Sequence, residues 1–301
     1  MLLRKALRME IDDPEKLMTP MRLDAFGRFN SMMASKLVKS TGESFLRKLS
    51  YVSIGSDQVW NPLYIINHED WYMADFMPSM QKIALAPSIG IADLNPEQMN
   101  WLASELKNFQ KVSVREKRGA ELIWESSGVE AEVICDPTMV LSAEEWRAAA
   151  DGRCTPSDPY VFTYLLGGVG DEAADILDRV TDHGRIPVVP LSDRQKPGEP
   201  DAGPAEFIDL IDHASHVVTD SFHAAVFSSI LHTPLTIVHR EGGVDMFSRL
   251  EQLSEMLGIE EKIYGSPVFD LARAGDYEGV DEAIAYEREK FTDYLKSCLN
   301  G

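Results

Sequence analysis

The sequence has 301 residues, of which 44% are hydrophobic and 26% are charged, a composition typical of globular proteins that excludes the disordered and fibrous classes. A chain of this length accommodates two domains or one large α/β unit. The formal net charge of −20 argues against nonspecific binding to nucleic acid or to an anionic membrane surface.

No apolar run approaches the roughly 20 residues that span a bilayer, and the N-terminus lacks the uninterrupted apolar core of a secretory signal. The sequence therefore predicts a cytoplasmic protein without a transmembrane segment. The three cysteines, Cys135, Cys154 and Cys298, are widely spaced and include no CxxC pair. We expect neither a disulfide framework nor a metal site from them.

In chain order, residues 1–50 are predicted to be mostly helical and polar, with Leu37-Val38 and Phe45-Leu46 as apolar anchors. From Tyr51 onward, short apolar runs alternate with segments whose apolar residues recur at helical spacing. After the run at 51–54, the predicted strands cover residues 82–86, 112–114, 131–135, 160–165, 186–191, 216–219 and 235–239. The predicted helices cover residues 96–109, 116–127, 171–183, 204–213, 222–232, 246–257 and 281–299.

Strands that alternate with helices of this length predict parallel sheets with right-handed crossovers. The loop at 148–159 is the natural boundary, which gives an N-terminal lobe over residues 1–150 and a C-terminal lobe over 151–301. We expect the last helix to pack back on the first lobe. The predicted fold is α/β, with two Rossmann-like lobes facing a cleft in a GT-B-like arrangement. Ser113 and Glu116 have the spacing of a capping box at the start of one helix.

The segment Gly55-Ser-Asp-Gln-Val-Trp-Asn-Pro62 follows an apolar run that contains Tyr51, Val52 and Ile54. Buried parallel strands deliver polar groups in this way to the carboxyl edge of a sheet, where open α/β folds bind their ligands. We therefore expect a functional site at the end of this strand.

The segment Thr219-Asp-Ser-Phe-His223 joins a predicted strand to a predicted helix. Asp220 or Ser221 is the expected N-cap, and His223 then lies in the first turn beside backbone N–H groups that form an anion site. The positive end of the helix dipole favours a neutral imidazole, which suits a base or a proton shuttle. From the pattern alone, a packed histidine beside a capping motif is an equal alternative.

Arginines follow or accompany several of these elements. Arg115, in Val112-Ser-Val-Arg-Glu116, comes at a strand end where a guanidinium can bind a carboxylate or phosphate, although the pattern alone favours a surface salt bridge. Arg249 is either an anion ligand or an exposed helix arginine. Asp136-Pro-Thr138 fits a structural turn at least as well as a catalytic site.

These segments resemble, in order, the GSDQVWNP, SVRE, DPT and TDSFH motifs of the polysaccharide pyruvyl transferase family. Gly203-Pro-Ala-Glu-Phe207 is similar to the family's GPxEF segment, and Pro159 to Gly167 resembles the strand that opens its second lobe. Ser248-Arg249 matches an SR pair further on. The similarity covers approximately residues 51–260.

The resemblance implies the transfer of a pyruvyl group from phosphoenolpyruvate to two hydroxyls of a sugar residue in a cell-surface or exopolysaccharide glycan. The product is a ketal, and phosphate is released. Phosphoenolpyruvate is then a co-substrate, and neither a cofactor nor a metal is needed. The implied partners are this small-molecule donor and a glycan acceptor, either lipid-linked or soluble, and not nucleic acid.

The resemblance also implies roles for residues of this sequence. It assigns catalysis to His223, for proton transfer, and to Asp57, for base work or hydroxyl binding. The donor-binding residues that it implies are Arg115, Ser221, Phe222 and Arg249. The acceptor-binding residues that it implies are Gln58 and Trp60.

The sequence departs from the family upstream of Gly55. Family members usually open with a strand and a glycine-rich NYGA turn, whereas the only earlier glycines here, Gly27 and Gly42, follow no predicted strand. The N-terminal lobe is therefore expected to lack its first βα unit. Two alternatives stay open: a nucleotide-sugar glycosyltransferase on the same two-lobed fold, and a catalytically silent relative that binds a glycan or a protein.

Overall fold

The computed structural model of the chain describes residues 18–32, 46–65, 69–77, 82–242 and 247–300. The predicted anchors Leu37-Val38 and Phe45 lie outside the described residues. By contacts the chain divides into two compact units. The described residues of the first, which we name the His223 unit, are 18–32, 143–241 and 261–276. Those of the second, which we name the Arg115 unit, are 46–65, 69–77, 82–142, 242, 247–260 and 277–300.

Helices and strands alternate along the described chain, as the periodicity predicts. The α-helices are α1 (Pro20–Met32), α2 (Glu69–Tyr72), α3 (Pro96–Leu106), α4 (Lys117–Ser127), α5 (Ala143–Ala149), α6 (Asp171–Val180), α7 (Pro204–Asp212), α8 (Phe222–Leu231), α9 (Ser248–Leu257) and α10 (Val280–Leu299). The β-strands are β1 (Val52–Ile54), β2 (Lys82–Ala84), β3 (Ser113–Val114), β4 (Glu132–Val133), β5 (Val161–Tyr164), β6 (Val188–Leu191), β7 (His216–Thr219) and β8 (Leu235–Ile237). None of the described helices has both the length and the apolar content that crossing a membrane requires.

The His223 unit contains a four-stranded parallel sheet in the order β6-β5-β7-β8. Val161 of β5 pairs with Val188 of β6 and with His216 of β7, so the carboxyl ends of these strands meet at one edge. Helix α8 connects β7 to β8 and is buried from Ala224 to Leu231. Such a parallel sheet with helical crossovers is the Rossmann-like α/β arrangement that the sequence predicts.

Helix α1 belongs by contacts to the His223 unit, although the predicted boundary at residue 150 assigns it to the other lobe. It lies against α7: a Cβ on Gly203 would come within 2.8 Å of the Ala25 carbonyl carbon, and Arg28 forms an ion pair with the buried Glu206. A glycine at 203 therefore allows the two backbones to approach closely. The helical periodicity of α1 does not indicate that α7 is the element against which it packs.

The Arg115 unit contains two parallel pairs, β1 with β2 and β3 with β4. A parallel bridge between Ile83 and Lys111 joins β2 to the start of β3, which gives the strand order β1-β2-β3-β4. A buried apolar cluster that includes Trp60, Leu102, Val114 and residues of α4 packs on these strands. The unit is therefore a second parallel α/β layer, in agreement with the predicted class.

The predicted capping box at Ser113 and Glu116 is wrong. Ser113 is a buried residue of β3, and its hydroxyl donates to the Ala84 carbonyl at 2.7 Å instead of capping α4. Glu116 is the N-cap by position, and its Oε1 accepts from the N–H groups of Ile89 (2.7 Å) and Gly90 (3.0 Å). The two residues have the spacing of a capping box, but Ser113 bonds to β2 and Glu116 bonds to the backbone of the loop that follows β2.

His216 provides a pH-dependent contribution to stability. Its ring is buried beside the Thr236 hydroxyl at 2.8 Å, and burial, with the Lys262 charge, lowers the pKa of His216 to about 4. In the unfolded chain the pKa is about 6.5, so between these values only the unfolded chain binds the proton. The contribution of His216 to the free energy of unfolding is therefore fully present above the pKa of the unfolded chain. It is lost as the pH falls from that pKa to the pKa of the folded protein, by about 3 kcal/mol in total.

We expect His216→Gln to flatten this dependence, because glutamine keeps an amide for Thr236 and does not titrate. The measurement is the free energy of unfolding in urea at about pH 7 and at about pH 4.5 for both proteins. Other groups titrate in the same range, so the informative quantity is the difference between the two slopes. Parallel losses in the two proteins would contradict the assignment.

Candidate active site

The turn after β1 presents the Asp57 carboxylate. Gly55 has φ +142°, and a Cβ there would lie 1.9 Å from the Leu85 carbonyl oxygen, so only glycine fits. The Asp57 carbonyl accepts from the N–H of Ser88 at 2.7 Å and from that of Val59 at 2.8 Å. These bonds fix the backbone of Asp57, which has φ +65°, while its side chain remains 64% exposed.

Arg115 lies in the same unit between two carboxylates. Its Nη2 is 2.9 Å from Asp57 Oδ1, and its Nη1 is 2.5 Å from Asp136 Oδ2. The Arg115 and Asp136 side chains are buried, and Asp136 Oδ1 also accepts from the N–H and the hydroxyl of Thr138. Arg115 is thus a buried ion-pair residue and not a surface salt bridge. Asp136 both caps the start of the turn Pro137–Met139 and balances the charge of Arg115.

The two predicted acceptor residues lie in different surroundings. Gln58 packs over Gly90, where a Cβ would come within 2.1 Å of Gln58 Nε2. Trp60 is only 1% exposed, and its indole N–H donates to the Tyr72 carbonyl at 3.2 Å. Its ring packs edge-to-face on Phe109 at 5.4 Å. Trp60 is therefore a core residue that supports the turn, and its side chain has almost no exposed surface for an acceptor.

Helix α9 carries Arg249 in the Arg115 unit. Three residues further along this helix, Gln252 donates to the Arg115 carbonyl at 2.8 Å and accepts from the Lys117 N–H at 2.7 Å. Residues three apart lie on one face of a helix. Arg249 is half-buried and, at this spacing, shares a face of α9 with Gln252.

His223 occupies the first turn of α8 in the His223 unit. Ser221 is the N-cap by position, and among the described residues its hydroxyl makes no capping bond. The first turn contains no acidic residue, so no carboxylate of its own neutralises the backbone N–H groups there. The half-buried His223 ring lies edge-to-face on Phe222 at 5.6 Å. The predicted residues Ser221, Phe222 and His223 thus lie together at a helix N-terminus, a position of the kind that suits an anion.

Asp220 does not cap α8. It is buried, and its two carboxylate oxygens accept from the N–H groups of Leu166 and Gly167, each at 2.8 Å. Its Oδ2 also lies 3.5 Å from Arg240 Nε. Asp220 therefore holds the turn after β5 against an arginine that follows β8.

Sequence reasoning missed Arg240. Its Nη2 is 3.4 Å from the Asp220 carbonyl oxygen, which places it directly beside the start of α8. The available signal was its position three residues after β8 in a parallel sheet, where side chains reach the ligand-binding edge.

The family model for polysaccharide pyruvyl transferase matches residues 10–239, more than two thirds of the chain. The chain belongs to the polysaccharide pyruvyl transferase family. No curated protein matches it.

The family match includes the turn at Asp57, the Arg115–Asp136 pair and the start of α8 at His223. A polysaccharide pyruvyl transferase is a transferase whose acceptor is a polysaccharide, and exposed carboxylates such as Asp57 suit hydroxyl binding. Arg240 and Arg249 lie beyond the matched residues.

Proposed function

We propose that this protein transfers a pyruvyl group from phosphoenolpyruvate to two hydroxyls of a glycan as a ketal, with release of phosphate. The observation that carries the proposal is the start of α8, where His223 stands in a first turn without acidic residues, beside the buried N-cap residue Ser221. An anionic donor suits this helix end, and a titratable imidazole stands next to it. The two-lobed, GT-B-like arrangement that the resemblance implies is part of this proposal.

The reaction requires a proton on the methylene carbon of the donor, which creates positive character at the neighbouring carbon. His223 delivers this proton, and the backbone N–H groups of the first turn of α8 hold an oxyanion of the donor. Ser221 and Phe222 shape that end of the helix. The anionic groups of the donor thereby stay fixed while the proton is delivered to its methylene carbon.

The attacking sugar hydroxyl must lose its proton, and Asp57 is the base that we assign. Its exposed carboxylate is oriented by Arg115, whose other terminal nitrogen is anchored on Asp136. Because both terminal nitrogens of Arg115 contact carboxylates, we assign it to positioning Asp57 and not to binding the donor anion. Arg249 remains a proposed anion ligand, and Gln58 a proposed acceptor contact.

The test is phosphate release from phosphoenolpyruvate by the full chain with a panel of soluble and lipid-linked glycans. We expect release that depends on the glycan, with a pyruvyl ketal detectable on the product by mass spectrometry. A nucleotide-sugar panel is the parallel arm. Glycan-dependent consumption of a nucleotide-sugar without phosphoenolpyruvate turnover would contradict the proposal, as would glycan binding without turnover of either donor.

A further inference from the structure

Helix α1 lies at the carboxyl edge of the sheet in the His223 unit, against the loop that joins β6 to α7. Thr19, which precedes α1, donates from its N–H to Gln195 Oε1 at 2.9 Å and from its hydroxyl to Asp201. A Cβ on Gly203, at the start of α7, would meet the backbone of Ala25. In open α/β folds, ligands bind at the edge where such strand-to-helix loops lie. Helix α1 therefore packs at a ligand-binding edge, next to the end of β6.

Arg22 is directed from this face of α1 toward the sheet. Residues three apart share a face of a helix, and Arg22 is three residues from both Thr19 and Ala25. It is only 3% exposed. Burial raises the pKa of Tyr164, the last residue of β5, and the nearby charge of Arg22 opposes that rise. The buried guanidinium therefore lies beside the ends of β5 and β6.

Two nitrogens of this guanidinium make no hydrogen bond. Nε and Nη1 of Arg22 are both buried, and neither has a partner within the part of the chain that the structure describes. Buried charged donors are normally bonded, because an unsatisfied one loses its hydration without compensation. Burial accordingly lowers the pKa of Arg22. The arginine thus presents two N–H donors that the oxygen atoms of a ligand can satisfy.

The carboxylates of the β6–α7 loop bond to other groups and not to Arg22. Glu199 accepts from the Ser192 hydroxyl at 2.7 Å, and Asp201 accepts from the side-chain amide of Gln195 at 2.9 Å. These bonds belong to the loop itself and to its contact with α1. The negative charges therefore lie near the guanidinium without satisfying its N–H groups.

These charges indicate which class of ligand fits. The carboxylates of Glu199, Asp193 and Asp201 act on Arg22 and oppose the lowering of its pKa by burial. Several carboxylates around one guanidinium disfavour a phosphate or carboxylate ligand. A sugar hydroxyl is neutral, and it can both accept from the guanidinium and donate to a carboxylate. Asp193 is exposed, so a second hydroxyl of the same sugar can donate to it.

We propose that Arg22 binds a hydroxyl oxygen of a neutral sugar residue of the glycan, with Asp193 accepting from a neighbouring hydroxyl. This subsite is additional to the acceptor contacts at Asp57 and Gln58. Because Nε and Nη1 are covered, the sugar enters between α1 and the β6–α7 loop, and binding includes a shift of these two segments. The inference rests on the proposed function only for the glycan and not for the donor.

The experiment measures binding of short neutral oligosaccharides of glucose, galactose and mannose to the full chain by calorimetry, with inorganic phosphate as the anionic arm. Arg22→Met is expected to weaken binding of the oligosaccharides about 10-fold to 100-fold, the usual effect of losing hydrogen bonds from a charged donor. Phosphate binding should not change. Arg22→Lys should retain part of the oligosaccharide affinity, because an ammonium also donates to hydroxyl oxygens.

Thermal melting separates ligand binding from a purely structural role. Since Arg22 is buried with two unsatisfied nitrogens, Arg22→Met should melt at the same temperature as the wild type or higher. An arginine that only supports the fold would instead lower the melting temperature when replaced. Arg185→Met is the matched control: this side chain is in the same unit and 78% exposed, and its replacement should change neither affinity nor melting temperature.

Unchanged oligosaccharide affinity in Arg22→Met would overturn the inference and indicate a guanidinium that bonds only to buried water. Weaker phosphate binding without weaker oligosaccharide binding would also overturn it, as would weaker binding together with a lower melting temperature, or a wild type that binds none of the oligosaccharides. In each case, glycan-dependent phosphate release by the wild type would leave the proposed function standing. Oligosaccharide binding that depends on Arg22, without turnover of phosphoenolpyruvate, would retain the subsite and refute the proposed reaction.

Discussion

Replacing His223 by alanine is expected to lower glycan-dependent phosphate release about 100-fold to 10,000-fold, the usual contribution of general acid–base catalysis. The reason is its position in the first turn of α8, where an imidazole stands at the helix end that we propose holds the anionic donor. Alanine is a good helix former at that position, so the helix itself should remain. Single-turnover rates with phosphoenolpyruvate and the best glycan of the panel give the measurement.

His213→Ala is the matched control for this variant. His213 is the C-cap of α7 in the same unit, and its side chain is 58% exposed. Its removal should leave turnover within about two-fold, since surface substitutions rarely alter more than local stability. Equal turnover of the two variants would refute the role of His223 in proton transfer.

Replacing Arg115 by methionine is expected to lower the free energy of unfolding by about 3 kcal/mol, because it leaves the buried Asp136 carboxylate without its cation. The Asp136 side chain is only 2% exposed, and its bonds to Thr138 compensate part of the loss. Methionine keeps the apolar length of the arginine stem and so avoids a large cavity. Urea denaturation gives the measurement.

Arg118→Met is the control for Arg115→Met. Arg118 lies in the first turn of the adjacent helix and pairs with the exposed Glu121 and Glu125. Exposed pairs contribute about 0 to 1 kcal/mol, so this variant should be nearly as stable as the wild type. If Arg115→Met and Arg118→Met lowered the free energy of unfolding equally, the unpaired buried carboxylate of Asp136 would not be the cause of the loss in Arg115→Met.

Asp57→Asn separates the positioning role of Arg115 from its structural role. The Asp57 side chain is 64% exposed, so its replacement should cost less than about 1 kcal/mol of stability. Turnover should nevertheless fall strongly if this carboxylate takes the proton of the sugar hydroxyl. If the Asp57→Asn variant kept its activity, Asp57 would not be the base, and Arg115 would have no positioning role in catalysis.

Local patterns predicted most of the fold. Helices α6, α7 and α8 begin where the sequence places them, and β7 has the predicted bounds, because periodicity and capping residues act over a few positions. The predicted helix ends were less accurate than the predicted starts. The pattern predicts that α6 extends to residue 183, whereas in the structure it ends at Val180. Fraying and turn formation at such ends depend on contacts beyond the local window.

The candidate site could be predicted from the sequence only as far as the ends of the strands could be predicted. Asp57, Arg115 and His223 all follow or accompany predicted strands of parallel sheets, and the structure places each at such an end. Their partners were not predictable. Asp136 lies 21 residues from Arg115 and Asp220 lies 53 residues from Gly167, separations at which no periodic pattern carries information.

The sequence by itself determined the α/β class, the order of strands and helices, and the polar segments at strand ends that carry the family resemblance. It did so because these features depend on neighbouring residues and on burial that repeats along the chain. Only the tertiary structure decided that Trp60 is a core residue, that Ser113 bonds to a strand, that α1 packs on α7, and that Arg240 contacts Asp220. Each depends on which distant group comes within hydrogen-bond or packing distance, and that is decided by the assembled sheet.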